Sequence, residues 1–257
     1  MVQLRRFFKG INFECSHRYR IYEYSAAAKI AFTTTKKIIM IIETEDGSHS
    51  IFSEKYGMSY HSKYGAIQET GHVFINAGLK PKAEIQSEIH ILDIGFGTGL
   101  SALMTLLESE KSNLNIHYTG VEAYPITLED AGQLNYSEQL QLTESQDVLL
   151  KMHEANWNET VLISNHFQLT KVKKMFQELT FENQFDIIYF DAFAPNSQPE
   201  LWEIPLLTTM YNALKANGVL VTYCAKGQFK RNLKAIGFEV EPLPGPPGKR
   251  EMTRGRK

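Results

Sequence analysis

The sequence predicts an α/β fold built on a mostly parallel sheet, with a small β-rich appendage on its N-terminal side. Ile89, Ile91, Leu92 and Ile94 form a short branched apolar run that ends in Asp93-Ile-Gly-Phe-Gly-Thr-Gly99, and Leu100, Leu103, Met104 and Leu107 then fall at helical spacing. That is a buried strand turning sharply into a helix. Apolar runs and helical patterns go on alternating to residue 238, as in a chain of β-α units. Two of the runs, Ile116 to Val121 and Phe185 to Phe190, deliver Glu122 and Asp191 at their carboxyl ends, where sheets of this class bind ligands.

Gly95, Gly97 and Gly99 remove the Cβ at three alternate positions of the turn, so the backbone there can take positive φ and a ligand can press against the helix N-terminus. A nucleotide-like cofactor suits such a turn, as does no ligand at all in some other α/β protein. The third glycine comes one residue early for a dinucleotide fingerprint, and no Lys-Ser/Thr pair makes a phosphate loop. Asp93-Ile-Gly-Phe-Gly-Thr-Gly99 resembles motif I of the class I S-adenosylmethionine-dependent methyltransferases, whose Rossmann-like domain would here span residues 83–257. The resemblance implies that Asp93, Gly95, Gly97, Thr98, Gly99 and Glu122 surround the cofactor. Glu122 would accept hydrogen bonds from its ribose, against the plainer reading of a solvated loop glutamate.

Length and charge set bounds on the rest. At 257 residues the chain holds one α/β domain and an appendage, and 27 basic against 29 acidic residues give no global pull toward a polyanion. Cys15 and Cys224 fit neither a metal spacing nor a disulfide framework, and His153 and His166 stand apart from other ligand types, so no metal is expected. Without a secretory signal or an apolar run of about 18 residues, the expected location is cytoplasmic and away from membranes.

Residues 1–37 are a basic stretch with no sustained period, read either as a loose extension or as an RNA-contacting arm, and Met40 is a candidate start of translation. Residues 38–82 form the appendage. Ile38 to Ile42 reads as a strand, Asp46-Gly47 as a turn and Ser48 to Phe52 as the returning strand. Tyr56 to Gly65, dense in aromatic and hydroxyl residues, suits a loop over a ligand or an ordinary surface loop. Beyond Val121, helices are expected over Pro125 to Leu134 and Leu142 to Trp157, a third strand over His166 to Leu169, and a short helix through Phe176 and Leu179. After the Phe185 to Phe190 strand come a helix from Leu206 to Leu214, a turn at Asn217-Gly218, a strand from Val219 to Tyr223 and a helix from Gly227 to Ile236. A last strand starts at Phe238, the prolines of Pro242 to Pro247 predict a loop, and the basic end from Lys249 reads as a solvated tail or a local polyanion patch.

Asp191-Ala-Phe-Ala-Pro195 with Pro199-Glu-Leu-Trp202 is the most specific stretch: a carboxylate at a strand tip followed by a proline-braced aromatic loop. With motif I, Glu122 and Gly248-Lys-Arg-Glu-Met252 in the same order, the chain from about Met40 onward resembles the MnmD family. That family comprises tRNA 5-methylaminomethyl-2-thiouridine methyltransferases and also occurs as the N-terminal half of the bifunctional enzyme MnmC. The resemblance implies methyl transfer from S-adenosylmethionine to the primary amine of 5-aminomethyl-2-thiouridine at the tRNA wobble position, with Asp191 as the active-site carboxylate. Tyr60, Tyr64, Phe193 and Pro195 are the expected substrate contacts, the aromatic ones stacking on an extruded base.

Two departures matter. Leu169-Thr-Lys-Val172 lacks the acidic residue that many methyltransferases place near adenine, and the sequence stops where fused relatives continue into an oxidoreductase. This chain is therefore not expected to remove a carboxymethyl group itself, and a separate enzyme is one candidate source of the aminomethyl precursor. Other readings are an aminopropyltransferase of the spermidine-synthase kind, a methyltransferase for a protein or small metabolite, and a non-catalytic tRNA-binding module.

Overall fold

The computed structural model describes residues 40–141 and 145–257, so the expected basic extension, Cys15 and the first two residues of the first predicted strand lie outside the described part. The appendage is a three-stranded antiparallel sheet of β1 (Met40–Glu43), β2 (His49–Ser53) and β3 (Met58–Ser59). Met40 pairs with Phe52 and Glu43 with His49, the hairpin that Asp46-Gly47 predicts, with Gly47 at φ 80°. Asp46 makes the turn and also ties it to the next element. Its carboxylate accepts from the Thr44 hydroxyl at 2.8 Å, from the Ser48 amide at 3.0 Å and from the Gln68 amide at 3.0 Å.

That next element is helical throughout. α1 (Ala66–Thr70) runs into a π-helical stretch (Gly71–Leu79) and on into α2 (Lys80–Ala83), burying Val73, Phe74 and Leu79 against the main sheet. Gly78 is needed here, because a Cβ would lie 3.0 Å from Val221 and 3.3 Å from Tyr189.

The main sheet is formed by β4 (Glu88–Ile94), β5 (Asn115–Val121), β6 (Thr160–Ser164), β7 (Phe167–Val172), β8 (Phe185–Phe190), β9 (Leu214–Thr222), β10 (Glu239–Pro244) and β11 (Glu251–Arg256). Their spatial order is β10-β11-β9-β8-β4-β5-β7-β6, with β9, β8, β4, β5 and β7 parallel and the outer strands antiparallel. From β4 the chain builds outward through β5 to β7, then crosses back to place β8 on β4's other side. The sheet therefore has its topological switch point between β4 and β8.

Helices cover both faces: α3 (Leu100–Ser112) and α6 (Ser145–Glu154) with the π-helical stretch on one, α7 (Ile204–Ala213) and α8 (Gly227–Ala235) on the other. The short α4 (Leu128–Ala131) and α5 (Tyr136–Gln139) lie between β5 and α6 in sequence. Successive residues of β8 go to opposite cores, Ile187 and Tyr189 to one and Ile188 and Phe190 to the other, which is why the central strands read as continuous apolar runs.

Several elements differ from expectation. The helix predicted from Pro125 to Leu134 shrinks to α4, capped by Thr127, whose hydroxyl accepts from the Asp130 amide while the Asp130 carboxylate accepts from the Thr127 amide. The expected short helix near Phe176 is a single 3-10 turn, Phe176–Glu178. β6 carries no sequence signal beyond Val161 and Ile163 and exists because β7 offers it an edge. Pro242 and Pro244 sit inside β10, not in a loop, which an outermost strand tolerates because its far edge needs no donors. The basic end is neither tail nor free patch: β11 lies between β10 and β9 and buries Met252 and Thr253.

The hydrogen bonds to Asp46 hold its carboxyl below the usual range despite partial burial. A depressed folded-state value contributes stability above the unfolded pKa that is lost as pH falls through the folded one. Asp46→Ala should lower unfolding stability at pH 7 by about 1 kcal/mol or more. In denaturant melts the gap to the parent protein should begin to narrow as the pH falls through about 3.8 and close only below the lower folded-state value.

Candidate active site

The cleft lies over the carboxyl ends of β4, β5 and β8 and encloses about 820 Å³, counted out to its open mouth. Its floor is the glycine turn. Gly95 (φ 103°) and Gly97 (φ 51°) occupy backbone regions that side chains disfavour, and a Cβ on Gly95 would stand 2.9 Å from the Asp191 carbonyl oxygen. The Gly95 and Phe96 amides donate to the Val121 carbonyl at 3.1 and 3.0 Å, so the end of β5 anchors the turn. Glu122 completes the anchor: one oxygen accepts from the Gly97 amide at 3.1 Å and the other from the Tyr124 amide at 2.8 Å. Burial pushes Glu122 up while these amides pull it down.

Asp191 follows β8 directly, and its amide donates to the Ile94 carbonyl at 3.1 Å, across the switch point. Burial, and next the nearby Glu69 carboxylate, push its carboxyl up to about 8, with Lys249 opposing them. Lys249 binds Glu69 through a charged hydrogen bond and lies 3.8 Å from the centre of the Tyr223 ring. The Tyr223 hydroxyl donates to the Ala192 carbonyl at 2.8 Å. The loop after Asp191 is braced by Trp202, whose indole donates to the Phe193 carbonyl at 2.8 Å and whose ring packs on Phe190 and Phe229.

An aromatic wall lines the same cleft as Asp191. Phe193 lies 4.4 Å from Tyr56 and 5.1 Å from Tyr60, centre to centre. Beside them the His61 ring meets Thr98 at 3.5 Å and Ser50 at 3.3 Å, and burial lowers its pKa to about 4, so it is neutral at physiological pH.

Of the residues singled out from sequence, Gly95, Gly97, Thr98, Glu122, Asp191, Tyr60 and Phe193 line the cleft together. Asp93, Gly99, Tyr64 and Pro195 do not. Asp93 is sealed inside the sheet, accepting from the Tyr118 hydroxyl at 2.8 Å, and burial raises its pKa well above the ordinary value. Gly99 faces Leu149 and His153 instead, and Tyr64 packs on Gly248. Sequence reasoning missed Tyr56, His61, Gln198 and the Glu69–Lys249 pair. Only the aromatic density of Tyr56 to Gly65 and the family motif at Gly248 hinted at any of them. No metal was expected, yet Glu88, His90 and His117 gather at the opposite end of the sheet.

Residues 134–257 match the family described as S-adenosyl-L-methionine-dependent methyltransferase (Methyltransf_30). The chain is 31% identical over 226 residues to the tRNA 5-methylaminomethyl-2-thiouridine biosynthesis bifunctional protein MnmC of Aromatoleum aromaticum, covering 83% of this chain and 34% of that one. The chain is thus similar to S-adenosylmethionine-dependent methyltransferases and to part of MnmC. The crystal structure of MnmC2 from Aquifex aeolicus superposes with a TM-score of 0.70 at 24% identity, over 86% of this chain and 70% of that one. Spermidine synthase from Thermotoga maritima gives 0.51 at 17% identity, over 85% and 68%, and so shares the fold. The chain spans about a third of the length of the curated relatives it matches.

The cleft fits S-adenosylmethionine. Its floor is a turn where a Cβ at Gly95 would meet the Asp191 carbonyl oxygen at 2.9 Å, and its wall carries one buried carboxylate, Glu122, at the end of β5. Gly95→Ala forces a side chain into both the strained φ and the Asp191 carbonyl. Its affinity for S-adenosylmethionine by calorimetry should fall by more than about tenfold, a loss of 1.4 kcal/mol, with the melting temperature lowered.

Proposed function

We propose that this chain methylates the exocyclic primary amine of 5-aminomethyl-2-thiouridine at the wobble position of tRNA, using S-adenosylmethionine. The observation that carries the reading is Asp191: a carboxylate beside the glycine turn, with its pKa raised to about 8, lining one cleft with the aromatic rings of Tyr56, Tyr60 and Phe193. S-adenosylmethionine supplies an electrophilic sulfonium methyl when bound. Gly95, Gly97 and Thr98 would border it and Glu122 would hold its ribose, while Met175, Phe176 and Gln177 at the far rim would flank the base in place of the missing acidic residue.

The amine arrives as an ammonium with a pKa near about 10 and must give up a proton before its nitrogen has a lone pair to offer. An ordinary carboxylate is roughly six pK units too weak a base, a cost of about 8 kcal/mol. Asp191, with its value near 8, reduces the gap to about two units, or about 3 kcal/mol. Burial thus makes Asp191 an acceptor matched to an alkylamine. Its oxygens bind the ammonium, take one proton and keep the nitrogen in line with the methyl. Tyr60 remains a neutral phenol, since burial and then Glu122 push its pKa up, and with Phe193 and Tyr56 it offers stacking faces to a splayed base. Among the described residues no helix is long and apolar enough to cross a membrane.

Purified protein with labelled S-adenosylmethionine and tRNA from cells lacking this activity should place label on 5-aminomethyl-2-thiouridine, seen as a gain of one methylene by nucleoside mass analysis. Label on putrescine-type amines without tRNA, or on protein alone, would reject the assignment. Asp191→Asn should abolish turnover while cofactor binding persists.

The pH profile is a second test. With Asp191 raised, kcat/KM should climb with pH through an apparent value near 8 as the carboxyl ionises. Removing the opposing cation in Lys249→Met should move that limb to higher pH, and Glu69→Gln should move it lower. Limbs that stay in place in both variants would show that the pair does not govern Asp191.

A further inference from the structure

Glu88, His90 and His117 lie far from the cleft, at the N-terminal ends of β4 and β5. Two features of the sheet bring them together. Glu88 and His90 are two residues apart on β4 and therefore point to one face. His90 and His117 are register partners on adjacent parallel strands, so their side chains share that face too. The two imidazoles stack with centres 4.3 Å apart and planes 10° from parallel. A single Glu88 oxygen stands 3.6 Å from His90 Nε2 and 3.2 Å from His117 Nε2, and all three ligand atoms fall within 4.8 Å of one another.

These separations are those of a coordination shell. Zinc binds imidazole nitrogen and carboxylate oxygen at about 2.0 to 2.2 Å, so neighbouring ligand atoms in a tetrahedral site stand roughly 3.3 Å apart. Two of the three edges already have that length. The rings are about one-third exposed and Glu88 is 64% exposed, so water can reach a fourth position. The backbone beneath is fixed: the His90 amide donates to Asp186 at 2.8 Å, and the cation at Lys215 is held by that same carboxylate at 2.9 Å.

We propose that Glu88, His90 and His117 bind a divalent ion of the zinc type, one per chain, cross-linking β4 to β5 at the end remote from the cleft. Two imidazoles and one carboxylate favour zinc, nickel or copper and disfavour magnesium and calcium, which take oxygen ligands. At about 3.3 Å per residue, His90 is roughly 16 Å along β4 from Gly95. The ion would accordingly clamp the two strands whose other ends carry the glycine turn and Glu122, without touching the reacting groups. This does not rest on the methyl-transfer reading.

Chelator-treated full-length protein should take up one zinc per chain in a calorimetric titration and melt at a higher temperature with zinc than without, whereas magnesium should do neither. His117→Asn and, separately, Glu88→Gln should weaken zinc binding by more than about tenfold and abolish the thermal shift. If His117→Asn proves unfolded by circular dichroism, cobalt(II) added to the parent protein decides the matter: absorption bands of a four- or five-coordinate nitrogen and oxygen site are expected. Absence of zinc uptake, uptake unchanged in both folded variants, or a six-coordinate aqueous cobalt spectrum would overturn the proposal.

Discussion

The structure depends on one backbone contact, the hydrogen bond from the Asp191 amide to the Ile94 carbonyl at the switch point of the sheet. Parallel pairing of β4 with β8 places Ile94 opposite Phe190, so the residues after each strand, Gly95 and Asp191, must emerge side by side. The clearance there is so small that a single methyl group on Gly95 would collide with the Asp191 carbonyl. A bare-backbone floor and a carboxylate wall are two consequences of one strand pairing. Moving β8 by one residue would turn Asp191 to the opposite face of the sheet and remove the site.

Around that contact the protein spends buried polar groups where an apolar core would be simpler. Glu122 is held by two amides from different segments, the Asp191 loop hangs from Trp202 and Tyr223, and Glu69 and Lys249 meet across 180 residues of chain. Each device fixes a loop that has no sheet hydrogen bonds of its own. They also set charge. Asp191 feels burial and Glu69 in one direction and Lys249 in the other, so three elements distant in sequence decide whether one carboxyl is ionised.

The appendage completes the cleft. Asp46 joins the first hairpin to α1, and β2 and β3 carry the chain into Tyr60 and His61, which line the pocket from above. Tyr60 even closes on the glycine turn, since a Cβ at Gly97 would come within 3.0 Å of its ring. The helical run from Ala66 to Ala83 then returns the chain beneath the main sheet, so the aromatic wall is anchored at both ends.

Sequence alone determined the α/β alternation, the first hairpin, the glycine turn and the two strand-end carboxylates. Those are local consequences of apolar periodicity, of φ > 0 at glycine and of where a run of branched residues stops, and each is written within a few neighbours. Tertiary structure decided what depends on pairing at a distance. Pro242 and Pro244 are strand residues only because β10 is outermost, and the basic end is a strand only because β9 and β10 flank it. Asp93 looked like a cofactor ligand from its place in the motif, but the Tyr118 hydroxyl, contributed by the neighbouring strand, claims its carboxyl inside the sheet. Glu69 carries no readable signal and Lys249 only its place in a family motif, because the pair has no role until α1 and the β10–β11 turn meet beside Asp191. Periodicity records which face a residue takes, whereas the strength of a buried carboxyl as a base is set by charges that only folding brings near.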